Sequence, residues 1–289
     1  MELTKLYCSI DDFWKEFKAE WEKHLLENGP LRRGPEPKIS VPEMITIVIL
    51  FHRSNFRTFK HFYAHVCNTM SKDFSLVSYS RFIQLVKGIL VPLFAYCLQR
   101  RGKMTGISFI DSTCIRVCHN KRIRRNKTFK GLAKTGKSTS GWFHGFKLHL
   151  IINEKGEVLS FLLTPGNVSD VAVVEELSLG VFGSLYGDKG YISGELWKKL
   201  FKRGLALFTT LRSNMKQRFI SLKDKILLRK RAVIETVNDQ LKNISQIEHT
   251  RHRSVSSFLV NLLAGLAAYA HQEKKPSLNL GRDCLVLVA

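Results

Sequence analysis

The sequence predicts an all-α segment followed by an α/β (α+β) domain built on a mixed sheet with helices packed against it. Two observations carry this. Apolar residues recur at helical spacing through residues 1–105, and from residue 106 short β-branched and aromatic runs alternate with helical stretches. The order from 106 reads strand, hairpin of two strands, helix, strand, helix, strand, helix.

In the first segment, "DDFWKEFKAEWEKHLLEN" (11–28) predicts a helix with Asp11 or Asp12 as its N-cap. "VPEMITIVILFHRSNFRTFKHFYAHVCN" (41–68) enters a helix with Pro42 in its first turn, where a missing N–H costs nothing. "SYSRFIQLVKGILVPLFAYCLQRRG" (78–102) predicts a third helix, kinked by Pro92 and ending at Gly102. The stretch around Pro42–Phe62 is compatible with a helix-turn-helix reader of DNA and equally with a plain bundle.

In the second segment, "GISFIDST" (106–113) is a strand, and "FKLHLIINEKGEVLSFLLT" (146–164) is a hairpin turning at "NEKGE". "SDVAVVEELSLG" (169–180) is a short helix that Ser169 or Asp170 can cap. "GSLYGDKGY" (183–191) is a strand ending at a glycine-flanked aspartate. "SGELWKKLFKRG" (193–204) is a helix, "ALFTTL" (206–211) a strand, and "LKDKILLRKRAVIETVNDQLKN" (222–243) one long helix. A last apolar helix covers about Val255–His271. The expected division is 1–105, 106–272 and a tail, 273–289.

Charge is the most informative bulk property. The 46 Lys and Arg against 24 Asp and Glu give a net charge of +22 and a pI near 9.9. Such a surplus points to a polyanion, most commonly nucleic acid. No uninterrupted apolar window of about 18 residues is present, so no membrane span is expected. The acidic, aromatic N-terminus is unlike a signal peptide, and six scattered cysteines predict reduced thiols in the cytoplasm.

Against this background Asp111 is conspicuous: it is the sole acid between Asp73 and Glu154, and it sits on the first predicted strand. Asp188 ends another strand, and Glu235 lies on the long helix. Phosphodiester chemistry is assisted by divalent cations that activate the attacking oxygen and stabilise the leaving one. Magnesium takes hard oxygen ligands and keeps several waters, so a few carboxylates from separate elements suffice. Open α/β sheets gather such residues at strand C-termini. On the long helix Ile226, Leu227, Val233, Ile234, Val237, Leu241 and Ile244 form an apolar stripe. Arg231, Glu235 and Lys242 lie within roughly 40° of one another on a different face. That spacing suits a metal-binding acid between phosphate clamps; it suits a surface Arg231–Glu235 pair equally well.

These residues resemble the DDE transposases of bacterial insertion sequences. The resemblance lies in "FIDST" around Asp111, "LTPGNVSD" (163–170), "YGDKGY" around Asp188, and "RAVIETVNDQLK" (231–242), and it covers about 106–270. Arg231, Glu235 and Lys242 repeat the spacing of an Arg–Glu–Lys signature; Leu228 stands where that signature often carries Tyr. The resemblance implies an RNase H-like fold with Asp111, Asp188 and Glu235 as the catalytic, metal-binding triad. It implies two Mg²⁺ ions, with Mn²⁺ substituting, and cleavage of double-stranded DNA at terminal inverted repeats. The freed 3′-OH would then attack target DNA, with a homodimer on DNA joining two ends at the bacterial nucleoid. Arg231, Lys242 and Lys189 would hold phosphate near the scissile bond. A nuclease without strand transfer and a catalytically inactive DNA-binding descendant are the competing readings.

The run "HNKRIRRNKTFKGLAKTGKS" (119–138) carries eight bases and no acid. It reads as a loop that contacts DNA phosphates through Lys121, Arg122, Arg124, Arg125, Lys127 and Lys130. Cys114, Cys118 and His119 lack a second ligand pair at zinc spacing and read as ordinary core or surface residues. His144 and His149 read as structural or DNA-proximal. Trp142 and Phe143 are placed either to stack on an extruded base or to pack under the sheet.

Overall fold

The computed structural model describes residues 2–28, 35–139, 141–210, 219–248 and 252–278. In chain order it opens with helices α1 (Leu3–Asn28), α2 (Val41–Arg53), α3 (Phe59–Thr69), α4 (Tyr79–Leu85) and α5 (Leu90–Gln99). Strands β1 (Ile107–Cys118), β2 (Lys134–Ser138), β3 (Gly141–Asn153) and β4 (Val158–Pro165) follow. Then come α6 (Val174–Leu177), β5 (Gly183–Gly187), α7 (Gly194–Lys202) and β6 (Leu205–Thr209). Helices α8 (Leu222–Lys230), α9 (Ala232–Asn243) and α10 (Val255–Ala270) complete the order.

The chain divides into two units. Met1–Arg100 with Leu241–Glu273 form the first, and Arg101–Gln240 with Lys274–Ala289 the second. The expected division assigned 106–272 to one unit; residues 241–273 instead join the helices. The reason is apolarity: α10 is buried on nearly every side, from Phe258 to Tyr269, and packs on α2 and α5. Residues 279–289 of the expected tail lie outside the described residues.

In the helical unit, α1 begins at Leu3, eight residues before the expected cap, so Asp11 is mid-helix and pairs with Lys15 at 2.7 Å. Ser40 caps α2 in a capping box with Glu43, and Pro42 sits in its first turn. Glu43 also accepts from Ser75 N–H at 2.6 Å. Burial opposes its ionisation, but the N–H groups of Ser40 and Ser75 outweigh this and hold its pKa below the ordinary value. The helix breaks after Arg53, and Thr58 caps α3. Between α4 and α5 a 3₁₀ turn at Val86–Ile89 lies just ahead of Pro92, whose ring and missing N–H disturb the preceding turn. Taken together, Tyr79–Gln99 is long and apolar enough by composition to cross a membrane, which the strict apolar count had not indicated because Arg81 and Lys87 interrupt it. Its Phe82, Val86, Ile89, Leu93, Tyr96 and Cys97 are buried within the unit.

The second unit is a mixed sheet flanked by helices, in line with the α/β reading of the sequence. β3 lies between β1 on one side and both β2 and β4 on the other; β1 continues in parallel to β5, and β5 to β6. One face, with Ile110, Ile151 and Leu185, packs on Val174, Leu177, Leu196 and Leu200 of α6 and α7. β2 and a 3₁₀ turn at Asn120–Arg125 replace part of the expected basic loop. Backbones meet where β1, β2 and β3 cross: a Cβ on Gly145 would lie 2.0 Å from the Ile115 carbonyl oxygen, and one on Gly136 would lie 2.0 Å from that of Gly166. The expected long helix breaks at Arg231 into α8 and α9, leaving Ile226 and Ile244 exposed while Leu227, Val233, Ile234, Val237 and Leu241 are buried.

Candidate catalytic site

The parallel pairing of β1 with β5 sets the site. Ile107 pairs with Ser184, Ser108 with Leu185 and Phe109 with Tyr186. Continued by two residues, that register sets Asp188 level with Asp111 on strands roughly 4.8 Å apart. Asp188 follows the last residue of β5 and turns the chain, accepting Gly190 N–H at 2.7 Å. Gly187 lets the Tyr191 ring close beneath the turn; a Cβ there would lie 2.9 Å from Tyr191 Cδ2 and 3.0 Å from Ile110 Cγ2.

Successive strand residues face opposite sides. Ile110 belongs to the α6–α7 core, so Asp111 faces the other side, where α9 meets it. Asn238 Nδ2 donates to Asp111 Oδ2 at 3.0 Å. Burial raises the Asp111 pKa to about 6; Arg231 and the Ser112 N–H pull it down, and the charges of Asp188 and Glu235 push it up. The three predicted acids are thus electrostatic neighbours. Glu235 is exposed and takes Arg231 Nη2 at 2.7 Å, so the helical pair read from spacing forms beside Asp111.

On the opposite face Asp170 gathers groups from two strands. Its Oδ1 accepts from Ser112 Oγ at 2.8 Å and Lys147 Nζ at 3.2 Å, and His149 Nδ1 lies 3.7 Å away. Lys147 also donates to Val168 O at 3.0 Å, and His149 Nε2 meets Thr164 Oγ1 at 2.8 Å. Burial lowers the His149 pKa to about 4 against the pull of Asp170, so its ring is neutral. The buried Tyr191 hydroxyl is pushed up by burial and by Asp111, Asp170 and Asp188. Asn238 and this network were missed in the sequence. Asn238 had a signal, three residues beyond Glu235 on the same helical face; Asp170 had been assigned capping, yet no side-chain cap forms there.

Lys121, Arg122, Arg124, Arg125, Lys127 and Lys130 are all exposed on and after the 3₁₀ turn, and among the described residues none pairs with a carboxylate. Lys189 is exposed beside Asp188. Lys242 lies on α9 in the helical unit, 3.6 Å from Glu248 Oε2. Trp142 points out and Phe143 in.

Among the described residues, no group of three or more His, Cys, Asp and Glu side chains is gathered tightly enough to hold a metal ion. That applies to the triad and to Cys114, Cys118 and His119 alike. The donor chemistry of the triad still suits a hard cation: it offers only carboxylate oxygens, and magnesium needs one or two of them. A half-buried carboxylate whose ionisation is opposed by burial and by two like charges is one that a cation would stabilise.

The family described as Transposase DDE domain matches residues 101–255, more than half of the chain, and the chain belongs to it. No curated protein matches the sequence. Among solved structures, the cryo-EM structure of the piggyBac transposase synaptic complex with hairpin DNA is similar, with a TM-score of 0.47 and 10% identity. The match covers 93% of this chain and 74% of that one. Membership of the Transposase DDE domain family makes the protein a DNA transposase of the DDE type, of a family that acts on DNA with divalent metal ions.

Proposed function

We propose that Asp111, Asp188 and Glu235 are the catalytic acids of a transposase that cleaves DNA at element ends and joins the freed 3′-OH to target DNA. The observation that supports this most directly is Asp111: its carboxylate meets Asn238 and feels the charges of Arg231, Asp188 and Glu235 together. Divalent cations, two Mg²⁺ on this reading with Mn²⁺ substituting, would be held by these acids and would activate the attacking oxygen and stabilise the leaving one. Asn238 orients the Asp111 carboxylate by occupying one of its oxygens. Arg231 keeps Glu235 on the site side of α9 and adds positive charge where phosphate must approach. The exposed bases from Lys121 to Lys130, with Lys189, grip the DNA backbone; Lys242 is assigned the same role on α9.

On this reading the helical unit helps bind the terminal inverted repeats, and a homodimer on DNA brings two ends together in the bacterial cytoplasm. The test is incubation of the full chain with Mg²⁺ and a duplex ending in the repeats that flank its gene. Nicked ends and joined products are expected, and Asp111→Asn, Asp188→Asn and Glu235→Gln should each abolish both. Nicks without joined products would leave a nuclease; full activity of Asp188→Asn would overturn the triad.

A further inference from the structure

Trp142 is 62% exposed at the start of β3, while its neighbour Phe143 is 1% exposed. An indole on the solvent side of a strand adds almost nothing to the core. Its surroundings are cationic. Lys137, its cross-strand partner on β2, holds Nζ 5.9 Å from the ring centroid. Asn120 Nδ2 donates to the Trp142 carbonyl at 2.9 Å, which ties the 3₁₀ turn bearing Lys121, Arg122, Arg124 and Arg125 to the same strand position. At the base of the hairpin Gly136 and Gly145 bring its backbone close against the backbones of Gly166 and Ile115.

We infer that the β2–β3 hairpin is a binding site for an unpaired nucleotide of the DNA, with Trp142 stacking on the base and the neighbouring cations holding the flanking phosphates. The inference rests on the DNA-transposase reading and goes beyond it, since nothing in the acid triad requires a base to leave the duplex. The chemistry is selective in one respect. A flat aromatic ring can stack only on a base whose face is free, and within a duplex both faces are covered. Cations act differently, because they attract phosphate in paired and unpaired DNA alike. Trp142 therefore discriminates and the bases around it do not.

The experiment compares binding of the full chain, without metal, to a paired duplex and to the same duplex carrying a short single-stranded extension, by fluorescence anisotropy at one salt concentration. The wild type should favour the extended DNA. Trp142→Ala should lose roughly tenfold or more of its affinity for the extended DNA and keep its affinity for the duplex; Trp142→Phe should retain most of the preference. Arg122→Ala/Arg124→Ala/Arg125→Ala should weaken both DNAs alike. Equal wild-type affinities, or an undiminished preference in Trp142→Ala, would overturn the inference while leaving the transposase reading intact. Failure of the wild type to bind either DNA would overturn both.

Discussion

Asn238 on α9 donates a 3.0 Å hydrogen bond to Asp111 on β1, across 127 residues of sequence. Asn238 is buried, and its partner is the most perturbed carboxylate of the site. Residues that orient a functional carboxylate typically matter by about 10- to 100-fold when removed. Asn238→Ala should therefore lower strand cleavage by a factor in that range, while duplex affinity stays near wild type. A gel assay of nicked product against time, beside a binding isotherm, checks it; wild-type cleavage rates would refute the orienting role.

Asp170 and Lys147 form a mostly buried ion pair behind Asp111. Removing one member of such a pair leaves an uncompensated charge and costs about 3–5 kcal/mol. Asp170→Ala should show that loss in urea unfolding. Ser112→Ala, which removes one neutral donor from the same oxygen, should cost only about 1 kcal/mol. Equal costs for the two variants would mean that the charge on Lys147 is solvated.

His149 gives the protein a defined acid sensitivity. Its folded pKa of about 4 lies below the ordinary 6.5, chiefly through burial. The unfolded chain thus binds the extra proton first as pH falls. The stability held by the neutral ring is fully present above pH 6.5 and is lost progressively down to pH 4, by up to about 3 kcal/mol. Thermal melts of wild type and His149→Gln between pH 7.5 and pH 4.5 should converge in slope only if this histidine is not the titrating group.

The basic turn should announce itself through salt. Each phosphate contact contributes about 0.9 to the slope of log affinity against log salt on duplex DNA. Replacing Arg122, Arg124 and Arg125 together by Ala should flatten that slope by about 2 to 3 and weaken binding to every sequence. An unchanged slope would remove the turn from the DNA footprint.

What could be read from the sequence followed what kind of signal each residue carries. The strands around Asp111 and Asp188 and the 146–164 hairpin were legible because β-branched alternation and glycine-flanked turns are local. The break at Arg231 was not, since the apolar periodicity of 222–243 runs through it and neither Pro nor Gly marks the turn between α8 and α9. α10 was seen as a helix but assigned to the wrong neighbours, because an all-apolar surface says that it is buried and not against what. In the site, the three acids stood out by isolation and order. Asp170 was quoted within a motif yet misread, because its partners Ser112 and Lys147 come from other strands, and pairing across a sheet leaves no trace in linear spacing.

The register between β1 and β5 has a practical consequence. The 77 residues separating Asp111 from Asp188 are not a ruler: most of them are spent on a hairpin and loops whose length does not set the pairing. Grafting extra residues into the Leu179–Phe182 connection should therefore leave the two acids abreast. Sliding β5 by a single residue would instead turn its alternate side chains to the other face and bring Gly187 or Lys189 to the place of Asp188. For anyone re-engineering this enzyme, the Leu179–Phe182 connection is open ground, and the five residues of β5 are not.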